Sequence, residues 1–158
     1  MRDRRLQSKL PADLATALDP IQLPDCVADV MTRKVVTLSP HHSFGEAVSL
    51  MANRQFRHFV VVHPDGRIAG VISDRDILRA LARTSNWQAK TVEQIMTRAP
   101  FTVGPQTPIG DAVGKMVAKR INCLPVIAED GTVCGIVTST DLLRSYQKIL
   151  ESLDKLGT

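Results

Sequence analysis

Short apolar runs alternate with helical patterns along this chain. Val35-Val36-Thr37-Leu38 is β-branched and is stopped by Ser39-Pro40, which predicts a strand. From Ser43, a residue suited to an N-cap, Phe44, Ala47, Val48, Met51 and Ala52 recur at helical spacing. Phe59-Val60-Val61-Val62 is a continuous apolar run too short for a helix, and His63-Pro64-Asp65-Gly66 is a turn. Ile68-Ala69-Gly70-Val71-Ile72 predicts a second buried strand, and Ser73 starts a helix carrying Ile77, Leu78 and Leu81.

The same order follows again. Strands are expected over 100–103, 124–127 and 133–137, helices over 108–119 and from Thr138, and a turn at Asp130-Gly131. Sliding the chain by 65 residues aligns Val27–Arg79 with Val92–Arg144 without a gap. Met31-Thr32-Arg33 falls on Met96-Thr97-Arg98, Gly70 on Gly135, Asp76 on Asp141, and Arg79 on Arg144. A β-α-β-β-α unit of under about 60 residues is small for independent stability. Two copies are too few for an open solenoid, so they are expected to pack face to face with approximate two-fold symmetry. Clefts between them would then also come in pairs.

The fold class predicted is therefore α+β, with two tandem β-α-β-β-α units. Their bounds are a polar leader at 1–26, a first copy at 27–83, a linker at 84–91, a second copy at 92–146 and a helical tail at 147–158. Residues 13–18 of the leader suit one short helix before Pro20. In the tail, Leu143, Tyr146, Ile149, Leu150 and Leu153 fall on one amphipathic face.

Composition narrows the class of function. Aromatics are only 4% of 158 residues, so the core is aliphatic and base-stacking platforms are few. The net charge of +4 is too small to imply nucleic-acid binding. All of that excess lies in 27–91, where nine basic residues face five acidic ones; every other segment is balanced. Cys26, Cys123 and Cys134 include no CxxC pair, which argues against a disulfide framework or a zinc site. No apolar run approaches the about 18 residues of a membrane span, so a cytoplasmic protein is expected. His41-His42 reads as loop rather than metal site, no glycine-rich phosphate loop is present, and no nucleophile–base constellation has the spacing of a hydrolase. An enzyme is not expected.

The residues that match twice are those of a known pattern. Val30-Met31-Thr32, Val36-Thr37-Leu38-x-Pro40, Phe56-Arg57-His58-Phe59-Val60-Val61-Val62 and Gly70-Val71-Ile72-Ser73-x-x-Asp76-Ile77 make up the first set. Ile95-Met96-Thr97, Phe101-Thr102-Val103-x-Pro105, Ile121-Asn122-Cys123-Leu124-Pro125-Val126-Ile127 and Gly135-Ile136-Val137-Thr138-x-x-Asp141-Leu142 make up the second. Over residues 27–146 the chain resembles a pair of CBS domains, a Bateman module. The resemblance implies a regulatory protein that needs no cofactor. It implies AMP, ADP, ATP or a similar adenosine ligand in the clefts, a disc-like homodimer, and output through an effector protein. It places Asp76 and Asp141 at the ribose hydroxyls and Ser73 and Thr138 near ribose or phosphate. Backbone at Val36-Thr37 and Phe101-Thr102 would meet the adenine edge.

The chemistry suits these residue types. A carboxylate accepts two hydrogen bonds from vicinal hydroxyls. A hydroxyl at a helix start lies beside free N–H groups, where phosphate is favoured. The same residues also suit a purely structural role, with Ser73 and Thr138 as N-caps and Asp76 and Asp141 as capping-box partners. The copies differ where charge matters. Arg57-His58 and Arg75 in the first stand where the second has Asn122-Cys123 and Thr140. Arginine offers a planar fork to phosphate, and histidine can add charge near neutral pH. The first cleft is thus expected to favour an anionic ligand. The competing reading pairs Arg57 and Arg75 with Asp74 or Glu46 at the surface. Two other classes remain open: a ligand-free dimerisation module, and a nucleic-acid binder.

Overall fold

The computed structural model describes residues 23–156. Its strands are β1 (Thr37–Leu38), β2 (His58–Val62), β3 (Ile68–Ser73), β4 (Thr97–Arg98), β5 (Cys123–Ile127) and β6 (Val133–Thr138). Its helices are α1 (Phe44–Arg54), α2 (Asp74–Arg83), α3 (Val92–Ile95), α4 (Ile109–Lys119) and α5 (Ser139–Leu156). Single 3-10 turns lie at Val27–Asp29 and Trp87–Ala89. The expected helix at 13–18 lies outside the described residues.

Helices α1, α2 and α5 begin where a side chain satisfies one of the first free amides. Ser43 Oγ accepts from Glu46 N–H while Glu46 accepts from Ser43 N–H at 2.7 Å. Two strand expectations need correction. Of 35–38 only Thr37 and Leu38 form a strand. Of 100–103 only Val103 makes a bridge, to Val126; the strand of that region is instead Thr97–Arg98. The amphipathic tail and the helix from Thr138 are one element, α5.

In the first sheet the order is β1-β2-β3-β4, with β1 parallel to β2 and the other pairs antiparallel. β5 and β6 pair alone, but isolated bridges Val103↔Val126 and Thr32↔Ile136 complete the same pattern. Each copy's outermost strand position is thus supplied by the segment that precedes the other copy. Thr97, at the start of the second copy, pairs with Val71, and Thr32, at the start of the first, with Ile136.

Core membership follows this exchange. Val92, Met96 and Trp87 pack with Leu38, Phe44, Phe59 and Ile72 of the first copy. Val27 and Met31 pack with Val103, Leu124 and Val137 of the second. Each such buried side chain contributes about 1.5–3 kcal/mol. The linker is therefore packed, with Trp87 tilted against Phe44 at a centroid distance of 5.1 Å. Ala99 turns the chain between the sheets at φ 46°, a left-handed conformation costly for a residue with a Cβ.

A third cluster joins the copies. Val60 and Val71 meet Cys123 and Ile136 between the sheets, with Val35, Val62, Ile68 and Val133 around them. The hairpin turns touch as well: Val133 N–H donates to Gly66 O at 3.0 Å. Gly66 and Gly131 adopt φ of 82° and 85°, which these turns require and only glycine adopts freely.

Candidate functional site

The two repeated aspartates occupy the same geometry. Asp76 Oδ2 accepts from Ser73 N–H at 2.8 Å and from Ser73 Oγ at 2.7 Å. Asp141 Oδ2 accepts from Thr138 N–H and from Thr138 Oγ1, both at 2.8 Å. Ser73 and Thr138 close these boxes by accepting from Asp76 N–H and Asp141 N–H at 3.3 Å. The capping role is thus real in both copies, and it uses one carboxylate oxygen. The second oxygen lies outside the box, on a side chain that at Asp76 is only 10% exposed. Asp76 Oδ1 lies 3.6 Å from Arg79 Nη1, whereas Asp141 Oδ1 accepts from Thr32 Oγ1 at 3.4 Å.

Thr32 was not singled out in the sequence, yet it belongs to the other copy's half of the repeat. Its bond shows how the clefts are built. The segment leaving Thr32 crosses from β6 to β1, so the chain that walls the Asp141 cleft runs on to Val36 and Thr37. The segment leaving Thr97 crosses from β3 towards β5, passing Phe101 and Thr102. Val36 packs half-buried against the first core, and Thr37 pairs with Val60. Thr102 O accepts from Lys115 Nζ at 3.0 Å, and the exposed Phe101 ring lies 4.9 Å below Lys119 Nζ. The structure does not collect the predicted residues into one site. It distributes them over two places, one around Asp76 and one around Asp141.

Charge gathers where β2 begins. Arg57 O accepts from Asp74 N–H, and His58 pairs with Ser73 across β2 and β3. Among the described residues neither Arg57 nor Arg75 makes an ion pair, so the surface pairing with Asp74 or Glu46 does not form. His58 is different. Burial pulls its pKa below the ordinary imidazole value, Asp74 and Asp76 push it up, and Arg57 and Arg75 push it down again. Burial is the largest of these influences, and it favours the neutral ring. Arg75 reaches the second copy, where it lines an open groove of about 700 Å³ with Arg120, Asn122, Ser139, Val117 and Leu143. Arg120 is a second cation that sequence reasoning missed; its position carries no motif.

Cys123 takes the place of His58 in the second copy and is 8% exposed. Burial first, and then the Asp76 carboxylate, push its thiol up to about 12 from 9.0. A raised folded-state value keeps its stabilising effect below the unfolded value and loses it as pH rises towards the folded one. Between pH 9 and 12 this one group is expected to cost about 1.4 kcal/mol of stability per pH unit. Urea titrations from pH 8 to 11 on wild type and Cys123→Ala check this. Identical pH dependence in the two proteins would reject it.

A family model for the CBS domain matches residues 27–83 and again 92–148. The chain belongs to the CBS-domain pair proteins. It is 35% identical over 122 residues to a homoserine O-acetyltransferase of Methanohalobium evestigatum, a match covering 77% of this chain and 24% of that protein. It is 32% identical over 120 residues to an L-aspartate semialdehyde sulfurtransferase of Methanocaldococcus jannaschii, covering 76% of this chain and 23% of that one. The chain spans about a quarter of the length of these curated relatives.

Solved CBS pairs are similar over nearly their whole length. The acetoin utilization protein AcuB from Vibrio cholerae superposes with a TM-score of 0.74 at 29% identity, covering 82% of this chain and 96% of that one. The CBS domain pair of protein MJ0100, in complex with 5'-methylthioadenosine and S-adenosyl-L-methionine, gives 0.72 at 31%, covering 79% and 98%. CBSX2 of Arabidopsis thaliana in complex with AMP gives 0.73 at 26%, covering 80% and 98%. No described helix is long and apolar enough to cross a membrane.

Proposed function

We propose that this CBS pair is a cytoplasmic regulatory module, not an enzyme, that binds adenosine-containing ligands in its two clefts. The carrying observation is the repeated aspartate that caps its helix through one oxygen and keeps the other outside the box, held only by Arg79 at 3.6 Å or Thr32 at 3.4 Å. A ribose diol donates two hydrogen bonds, and an ionised carboxylate is the acceptor that meets them best. The likeness to pairs holding AMP, 5'-methylthioadenosine and S-adenosyl-L-methionine supports the reading.

The two clefts are unequal in it. Asp76, Ser73, Arg57 and Arg75 take a phosphate-bearing nucleotide of the AMP, ADP or ATP type. Asp141 and Thr138 take an uncharged adenosine portion. Val36-Thr37 and Phe101-Thr102 offer backbone to adenine. Binding changes the relative orientation of the copies and so reaches an effector protein.

The test is calorimetry with AMP, ADP, ATP and 5'-methylthioadenosine, preceded by mass spectrometry of ligands released from purified protein. Arg57→Ala is expected to weaken nucleotides about tenfold or more, the loss of a charged hydrogen bond, and to leave 5'-methylthioadenosine unchanged. Equal affinity in wild type and variant would remove Arg57 from the phosphate site. No melting-temperature rise with any of these ligands would favour a ligand-free interaction module.

The proposed homodimer has its own support. Val48 and Val113, Leu78 and Leu143, and Leu81 and Tyr146 are equivalent in the repeat. All six are exposed, by 36%, 38%, 64%, 67%, 43% and 59% in that order. The chain thus carries two equivalent apolar helix faces, and a second copy presents the same two faces to cover them.

A further inference from the structure

The copies differ in one respect that bears on how two chains meet. α2 ends at Arg83, which the repeat matches to Lys148, but α5 continues to Leu156. Those eight further residues extend the helix by about 12 Å. They also extend its apolar stripe. Leu143, Tyr146, Leu150 and Leu153 follow a 3-4-3 spacing and are 67%, 59%, 42% and 37% exposed. That is the a and d spacing of a two-stranded coiled coil. With Leu143 at a, the residues at g are Leu142 and Ile149 and those at e are Gln147 and Asp154. Arg144, Lys148, Glu151 and Lys155 all fall at b or f, away from the seam. No like-charged pair therefore opposes a copy of this helix laid alongside itself.

We propose that the α5 extension fixes the orientation of the homodimer: the chains meet head to head, second copy on second copy, with the two α5 helices forming a short parallel seam. The inference rests on the homodimer reading. In a head-to-tail dimer α5 would lie over α2, whose helix ends at Arg83. Leu150 and Leu153 would then overhang the polar stretch Thr84-Ser85-Asn86 and stay exposed. Only the head-to-head arrangement gives them an apolar partner of the same length. A two-heptad seam is too short to hold chains together alone, so it acts by adding to the helix faces of the copies and choosing between their two pairings.

The test uses the full chain with Cys26→Ser and Cys134→Ser, leaving only the buried Cys123. Leu150→Cys, and separately Leu153→Cys, are treated with a short bis-maleimide and sized by light scattering. Head-to-head pairing is expected to join each variant to itself in high yield. A chain ending at Lys148 is expected to show a dimer dissociation constant raised at least about tenfold. A dimer in which Leu150→Cys joins a Thr84→Cys chain but never itself overturns the orientation and leaves the homodimer standing. An unchanged dimer after truncation also overturns it. A monomer at all concentrations overturns both.

Discussion

Gly70→Ala is expected to lower stability by about 3 kcal/mol, although it adds a single methyl group. A Cβ at Gly70 would lie 2.7 Å from Thr97 O and 2.7 Å from Met96 Sδ. The sulfur can swing aside, but the carbonyl belongs to β4, which pairs with β3 at Gly70↔Arg98 and Val71↔Thr97. Making room means moving β4 off the first sheet. Met96 and Val92 go with it, and both are part of the first core. The equivalent change at Gly135 is milder. There the Cβ meets Met31 Sδ at 2.7 Å, while the nearest backbone, Thr32 O, is 3.1 Å away. Gly135→Ala is expected to cost about 1 kcal/mol, because a flexible side chain absorbs most of the overlap. Urea unfolding of the two variants tests the ranking. Equal midpoints, or Gly135→Ala the less stable, would mean that the exchanged strands are not what fixes these glycines. Gly70→Ala is also expected to weaken ligand at the Asp76 cleft, because the displaced segment leads to Phe101 and Thr102.

That pair of glycines also shows how far the sequence reaches. Both were visible as repeated residues inside apolar strands, where a missing side chain signals a close approach. What approaches them was not visible. Thr97-Arg98 is a two-residue polar strand with no apolar alternation, so its pairing rests on the packing of Met96 and Val92 rather than on any pattern of its own. Phe101-Thr102-Val103 has the composition of a strand, yet the turn at Ala99 delivers it to the other sheet with only Val103 in register. The four long helices were readable because each is amphipathic over about three turns or more and three of them start on a hydroxyl signal, whereas the four-residue α3 was not. The site residues Ser73, Asp76, Thr138 and Asp141 were readable for the same reason, since a capping box is local in sequence. Thr32 was not, because it reaches Asp141 through the packing of one copy on the other, and Arg120 was not, because its position carries no motif. The environment of His58 was not readable either, since burial, its strongest influence, is a property of the fold.

The capping boxes make the aspartates ambiguous, and two substitutions at Asp141 resolve the ambiguity. Asp141→Ala removes both functions. Thr138 N–H loses its acceptor and α5 loses its box, at about 1 kcal/mol. Asp141→Asn separates them. Its amide oxygen can still accept from Thr138 N–H and Oγ1 in the place of Oδ2, so stability is expected to stay within about 0.5 kcal/mol. The atom outside the box becomes an NH₂. It still suits Thr32, whose hydroxyl can accept as readily as donate, but it cannot accept from a ribose hydroxyl. Loss of a charged acceptor facing a diol is expected to weaken adenosine ligands about 10- to 100-fold at that cleft. The same pair of changes at Asp76 is expected to act alike. Arg79 then loses a partner at 3.6 Å, but its side chain is 58% exposed and the pair contributes little. Thermal unfolding and calorimetry on the four variants give two independent readings. If Asp141→Asn and Asp76→Asn bind as wild type does, the carboxylates are helix caps and nothing more. If they fold as wild type and bind poorly, the oxygens outside the boxes belong to the ligand, because no change in the cap can then account for the loss.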